Sequence, residues 1–226
     1  MYVLNGTKEL KPGKTWIDDN GVQHPGNWAS VWSDNVKASY GIKEVTVQAK
    51  PDNKFYWVGQ RSLDGSWSST PKNIDDVKEV DKDGNAVLDA DGNQVITLGL
   101  KSQWIAKTKE TANSFLSSTD WQVIAKAERD RAIDSDVATY RAAVITACTA
   151  IEKAITDITD TSIPSDLATI QAKDEKDKTD ADKKVVADYE AEVATKFAAF
   201  KKLFDVPVDS DGNPTGNAPI NDWPKK

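Results

Sequence analysis

The sequence predicts an α+β protein: a β-rich N-terminal module over about 1–98, an α-helical hairpin module over about 99–204, and an extended C-terminal tail over 205–226. Three observations carry this. The first hundred residues are punctuated by Asn-Gly and Asp-Gly pairs between short β-branched and aromatic runs. The apolar spacing changes to three and four residues after Gly99. Pro164 then splits the helical part in two.

Thr15-Trp16-Ile17 and Val22-Gln23 flank Asn20-Gly21 and read as a hairpin, because both turn residues tolerate positive φ. Trp28, Val31, Trp32 and Val36 recur at helical spacing, so 27–40 reads as a short helix closed by Gly41. Val45-Thr46-Val47 and Phe55-Tyr56-Trp57-Val58 read as strands around Pro51-Asp52-Asn53, and 61–79 as loop. The pattern Asp-x-Asp-Gly-Asn then appears at 81–85, 89–93 and 209–213. A calcium loop would need a Glu several residues later, which none of the copies supplies, so these are expected to be Asx-type turns.

Leu100, Trp104, Ile105, Thr108, Ala112, Phe115 and Leu116 give a helix one apolar face, and Ser117–Asp120 interrupts it before Trp121. Asp134-Ser135-Asp136 can cap a longer helix reaching about Ile158. Along it Val137, Val144, Ile151 and Ile158 fall seven apart, with Tyr140, Ala147 and Ala154 at the second seam position. Residues 167–204 read as one helix with Tyr189, Val193, Phe197 and Phe200 on one face, which offers that seam an antiparallel partner within the chain; the same seam of another subunit is the alternative. Trp223 is expected to pin the tail.

Composition excludes several functions. The net charge is −7, and residues 62–100 hold eight Asp/Glu against three Lys, which does not suit a general nucleic-acid binder. A single Cys (Cys148) and a single His (His24) leave no disulfide and no Cys/His zinc set. No nucleophile–base motif appears, so no catalytic residue, cofactor or metal is expected. The N-terminus lacks signal-peptide character and no run reaches the ~20 apolar residues of a membrane span, so synthesis in a cytoplasm without membrane insertion is expected. Trp67 sits in a loop context and is the candidate exposed ligand contact. Trp121, Tyr140 and Arg141 are expected to form one junction where the second long helix is aimed, with Trp121 buried, and Val144 and Ile151 to be buried in the seam.

Two stretches carry a resemblance. One is Trp16–Trp28 with Phe55-Tyr56-Trp57; the other is Ser118–Ile124, Lys126–Arg129, Ile133 and Thr139–Val144. Together with Asp222-Trp223-Pro224 they resemble tail and tail-fibre-associated proteins of tailed phages. The Asp-Trp, Tyr-Arg and Trp-Pro arrangement is similar to the C-terminal part of phage tail-fibre assembly (chaperone-like) proteins. The long charged insertion at 165–204 departs from that pattern. The resemblance implies a structural part of a tail, baseplate or fibre attachment in the virion, acting by protein–protein docking. Its partners would be other tail or fibre proteins and further copies of itself. A fibre-assembly chaperone and a carbohydrate-binding receptor module are the alternatives. The family implies no catalytic residue and no cofactor.

Overall fold

The computed structural model describes residues 1–225. Helices and small antiparallel sheets coexist, with the sheets in the N-terminal part and the long helices in the C-terminal part, as an α+β protein requires. The chain separates into two units, Met1–Lys72 and Asn73–Lys226. The boundary thus falls before 98, because 73–76 is bonded to the start of the first long helix. Asn73 and Ile74 carbonyls accept the Leu100 and Lys101 amides, and the Asp76 carboxylate accepts the Gly99 amide at 2.8 Å.

In the first unit, β1 (Tyr2–Leu4) is the centre of an antiparallel sheet between β2 (Lys8–Leu10) and the later strand β5 (Ile42–Glu44). Strands β3 (Trp16–Ile17) and β4 (Gln23–His24) make the expected hairpin. The single helix expected over 27–40 is two, α1 (Trp28–Val31) and α2 (Asp34–Ser39). Trp32 turns extended and ends the first, Ser33 caps the second with its hydroxyl accepting the Val36 amide, and Val31 faces solvent instead of the core. Leu4, Leu10, Trp16, Trp28 and Ile42 form the core. Trp28 is fully buried and its indole N–H donates to the Lys14 carbonyl at 3.2 Å. Gly41 has φ +71°, and a Cβ there would meet the Asn5 side chain at 1.9 Å, so only glycine lets β5 leave α2 so closely. Val45–Val47 is not a strand. Strands β6 (Tyr56–Arg61) and β7 (Trp67–Pro71) pair instead, and β7 replaces part of the expected 61–79 loop.

The second unit begins with three short extended segments joined by two of the Asp-x-Asp-Gly-Asn turns. Segment β8 (Val77–Lys78) pairs with β9 (Ile96–Thr97), Val80 bridges Ala86, and Leu88 bridges Gln94. The three close on one another. Glu79 N–H donates to Val95 O, Val95 N–H to Val87 O, and Val87 N–H to Glu79 O, at 2.8–3.1 Å. In each turn the Asp amide donates to the residue four on, and its Oδ1 accepts two backbone N–H groups. The glycine sits at φ +83°. The same bonds recur at 209–213 and, headed by Asp18, at 18–22. The backbone donors hold the Asp81, Asp89 and Asp209 carboxyls below the usual range.

Helix α3 (Leu100–Ser117) leads through α4 (Asp120–Arg129) into α5 (Ser135–Thr156). The expected seam residues Val144 and Ile151 are buried, with Ile155. The helix lying closest along α5 is α3, not the 186–204 segment. The two run antiparallel, since Arg141 reaches the end of α3 while Lys101 at its start reaches past the end of α5. Lys101 is buried, with its ammonium on Ile158 O at 2.6 Å and Asp160 at 2.5 Å, and it holds the Asp160 carboxyl below the usual range. The helix expected over 167–204 is broken into α6 (Leu167–Gln171) and α7 (Asp180–Lys202). Thr179 and Asp182 form a reciprocal capping box at the restart. Leu167 and Ile170 are buried and α6 lies along α7, while Phe204, just beyond α7, stands edge-on to Trp104 of α3 at 4.6 Å.

Candidate functional site

The end of α3, the start of α4 and the first turns of α5 meet at Arg141. Its Nη1 lies 2.9 Å from Leu116 O, 2.7 Å from Thr119 Oγ1 and 2.8 Å from Asp120 Oδ1. The Leu116 carbonyl, at the end of α3, accepts the Thr119 amide of the closing turn at 2.9 Å, and the guanidinium adds a charged donor there that complements the helix dipole. The Thr119 hydroxyl also donates to Leu116 O. On the far side Gln122 and Asp134 are reciprocal partners: the Gln amide donates to the carboxylate at 2.8 Å, and the Asp134 amide donates to Gln122 Oε1 at 2.9 Å. This pair closes the 130–134 connection and sets where α5 starts. Thr119 and Gln122, both buried, escaped the reading of the sequence because isolated polar residues carry no periodic signal.

Trp121 does not share in this junction. It is 51% exposed, with the Arg131 guanidinium over its ring at 5.3 Å. The reason is helical phase: Gln122 faces inward, and its neighbour, rotated by about 100°, faces solvent with Ile124 and Val123. Tyr140 is half-buried and lines a cavity of about 460 Å³ with Thr119, Val137, Ala143 and Pro224. A second cavity of about 680 Å³ shares Ala143 and Pro224 and continues along Ala147, Ile151 and Ala154. Trp223 borders it, half-buried and edge-on to Phe115 at 5.4 Å. Thus the Thr119-Asp120, Tyr140-Arg141 and Trp223-Pro224 segments, well separated in sequence, border one place in the second unit.

Trp67 belongs to strand β7 and not to a loop. Its indole N–H donates to Gln48 O at 3.1 Å, and the Lys50 ammonium stands 5.5 Å from its ring centre. That pins the side chain, and the exposed tryptophan of the hairpin is Trp57.

No group of three or more His, Cys, Asp or Glu able to hold a metal occurs among the described residues. Cys148 is half-buried and donates to Glu152 at 3.2 Å; burial, then the neighbouring carboxylate, push its thiol up to about 11. No helix among the described residues is long and apolar enough to cross a membrane. Compared with family models, curated proteins and solved structures, the chain matches none.

Proposed function

We propose that the protein is a structural component of a phage tail, baseplate or fibre attachment that works by docking to neighbouring tail or fibre proteins and to further copies of itself. The observation that carries this reading is that parts of the three segments resembling tail-fibre-associated proteins lie at one helix junction: Asp120 bonds Arg141, and Tyr140 and Pro224 border one cavity with Thr119, while Trp121 faces solvent. The solvent-facing Trp121, Val123 and Ile124 of α4 beside that junction offer apolar area for a neighbour. No chemical step belongs to this role.

A fibre-assembly helper is the second reading. It is favoured by the same three segments, since they are the ones similar to the chaperone-like family. Quantitative mass spectrometry of purified particles of the encoding phage separates the two. A fixed copy ratio to the major tail protein is the expected result. Absence from particles, with abundance in infected cells, would replace the structural role by the helper role.

A further inference from the structure

Trp57 is the most exposed aromatic side chain among the described residues, at 68%. The register of β6 and β7 sets it opposite Thr70. A Cβ built on Gly59 would lie 3.2 Å from Ser68 Oγ, so Gly59 and Ser68 share a side of the hairpin. Alternation along the strands puts that side with Trp57 and Thr70. Lys72 completes it, its ammonium 4.6 Å from the Trp57 ring centre while donating to Asn53 O at 2.7 Å. Cations recur along this stretch: Lys50 stands over Trp67 and Lys54 over Phe55. The charge of the chain is divided accordingly. Met1–Lys72 holds nine Lys/Arg and seven Asp/Glu, whereas the rest holds twenty and twenty-nine.

We propose that this face of the β6–β7 hairpin binds an acidic polysaccharide, a polymer of carboxylate-bearing pyranose units. A pyranose presents a C–H face that packs on an exposed indole. The Ser68 and Thr70 hydroxyls can donate to and accept from the ring's hydroxyls. Gly59 leaves the strand bare beside the tryptophan, so a chain of sugars can lie close to the backbone. Lys72, at the Trp57 ring, supplies the charge that a carboxylate requires and a neutral glucan does not, whereas Lys50 stands over Trp67 on the opposite side of β7. The proposal goes beyond the docking role and stands apart from it, because the surface lies in the first unit and the Arg141 junction in the second.

The test is affinity electrophoresis and tryptophan-fluorescence titration of the full chain with polygalacturonate and alginate, against dextran and a single-stranded oligonucleotide. Both polyuronates are expected to retard the protein, with affinity falling as salt rises. Trp57→Ala is expected to weaken binding about tenfold, the loss of ~1.4 kcal/mol. Lys72→Met should weaken the polyuronates while leaving any residual dextran binding unchanged. Gly59→Glu keeps the tryptophan and should also weaken binding by blocking and repelling the ligand. Circular dichroism melting identifies any variant that fails to fold, and the remaining variants then decide. Failure of both polyuronates to bind at low salt would overturn the proposal. So would equal binding of dextran, equal binding of the oligonucleotide, or unchanged affinity in folded Trp57→Ala and Gly59→Glu.

Discussion

Arg141 and Trp121 are separated by one helix junction and should behave oppositely. The Arg141 side chain is 16% exposed and faces three acceptors, so Arg141→Met removes three charge-assisted hydrogen bonds at the junction, although Leu116 O keeps its Thr119 donors and Asp120 keeps access to water. A loss of about 2–3 kcal/mol is expected for hydrogen bonds to a charged group, seen as a lower urea midpoint at unchanged slope. Trp121→Ala removes an exposed ring and one guanidinium contact, and should cost less than about 1 kcal/mol. Reversal of that order would mean that the tryptophan, not the arginine, fixes the junction. Cys148 gives a second residue-scale expectation. Its folded thiol is pushed up to about 11 from an ordinary 9.0. The protonated form is therefore favoured by folding, and its stabilisation is complete below pH 9 and lost as pH rises towards 11. Iodoacetamide should accordingly alkylate the native protein much more slowly than the urea-unfolded chain at pH 8. Glu152→Gln, which removes the accepting carboxylate, should speed the native reaction.

At the scale of elements, the Asp-x-Asp-Gly-Asn turns are closed by their own backbone. Asp81 Oδ1 already accepts the Asp83 and Asn85 amides. Millimolar calcium should leave the melting temperature where it is, and a rise of several degrees would contradict the assignment. Gly84→Ala places an alanine at φ +83° and should cost about 1–2 kcal/mol locally, read as faster amide exchange at Val87 and Val95. These turns were legible in the sequence because Asp-x-Asp-Gly-Asn states its own geometry within five residues. The start and end of α5 were legible because the polar cluster at 134–136 and the seven-residue spacing agree, although the Asp134 carboxylate accepts from Gln122 and caps no helix amide. What failed was partnership. Val144 and Ile151 announce a buried stripe, but nothing in them says that α3 covers it and not α7. The break before α7 did carry a local signal, Thr179 with Asp182 three residues on, hidden within a charged run that has no apolar face to set a period. At the Arg141 site, Arg141 lies where the sequence places it, at the aiming of α5. The inward residue of the Asp-Trp pair's helix was misjudged, because hydrophobicity favours tryptophan over the glutamine that in fact turns inward.

For the molecule as a whole, the division at Lys72 has a measurable consequence. A fragment spanning 73–226 should fold cooperatively and melt well above one spanning 99–226. The shorter fragment loses Asn73, Ile74 and Asp76 as partners of the first turn of α3, and Asp75 as a partner of Lys101. Equal melting of the two would return the boundary to residue 98. The Lys101 ammonium ties the strands' base to the segment beyond α5, so Lys101→Met should weaken protection at both ends of α3–α5 together.

The closed hairpin tips have a use in protein engineering. Four turns of identical hydrogen bonding hold Asp19, Lys82, Ala90 and Ser210 at their second position, an acid, a base, a methyl and a hydroxyl. A backbone that accepts four such different side chains at one place treats it as a display position. Short epitopes or labelling sites grafted at Lys82 or Ala90 would be presented on a rigid stem, away from the Arg141 junction.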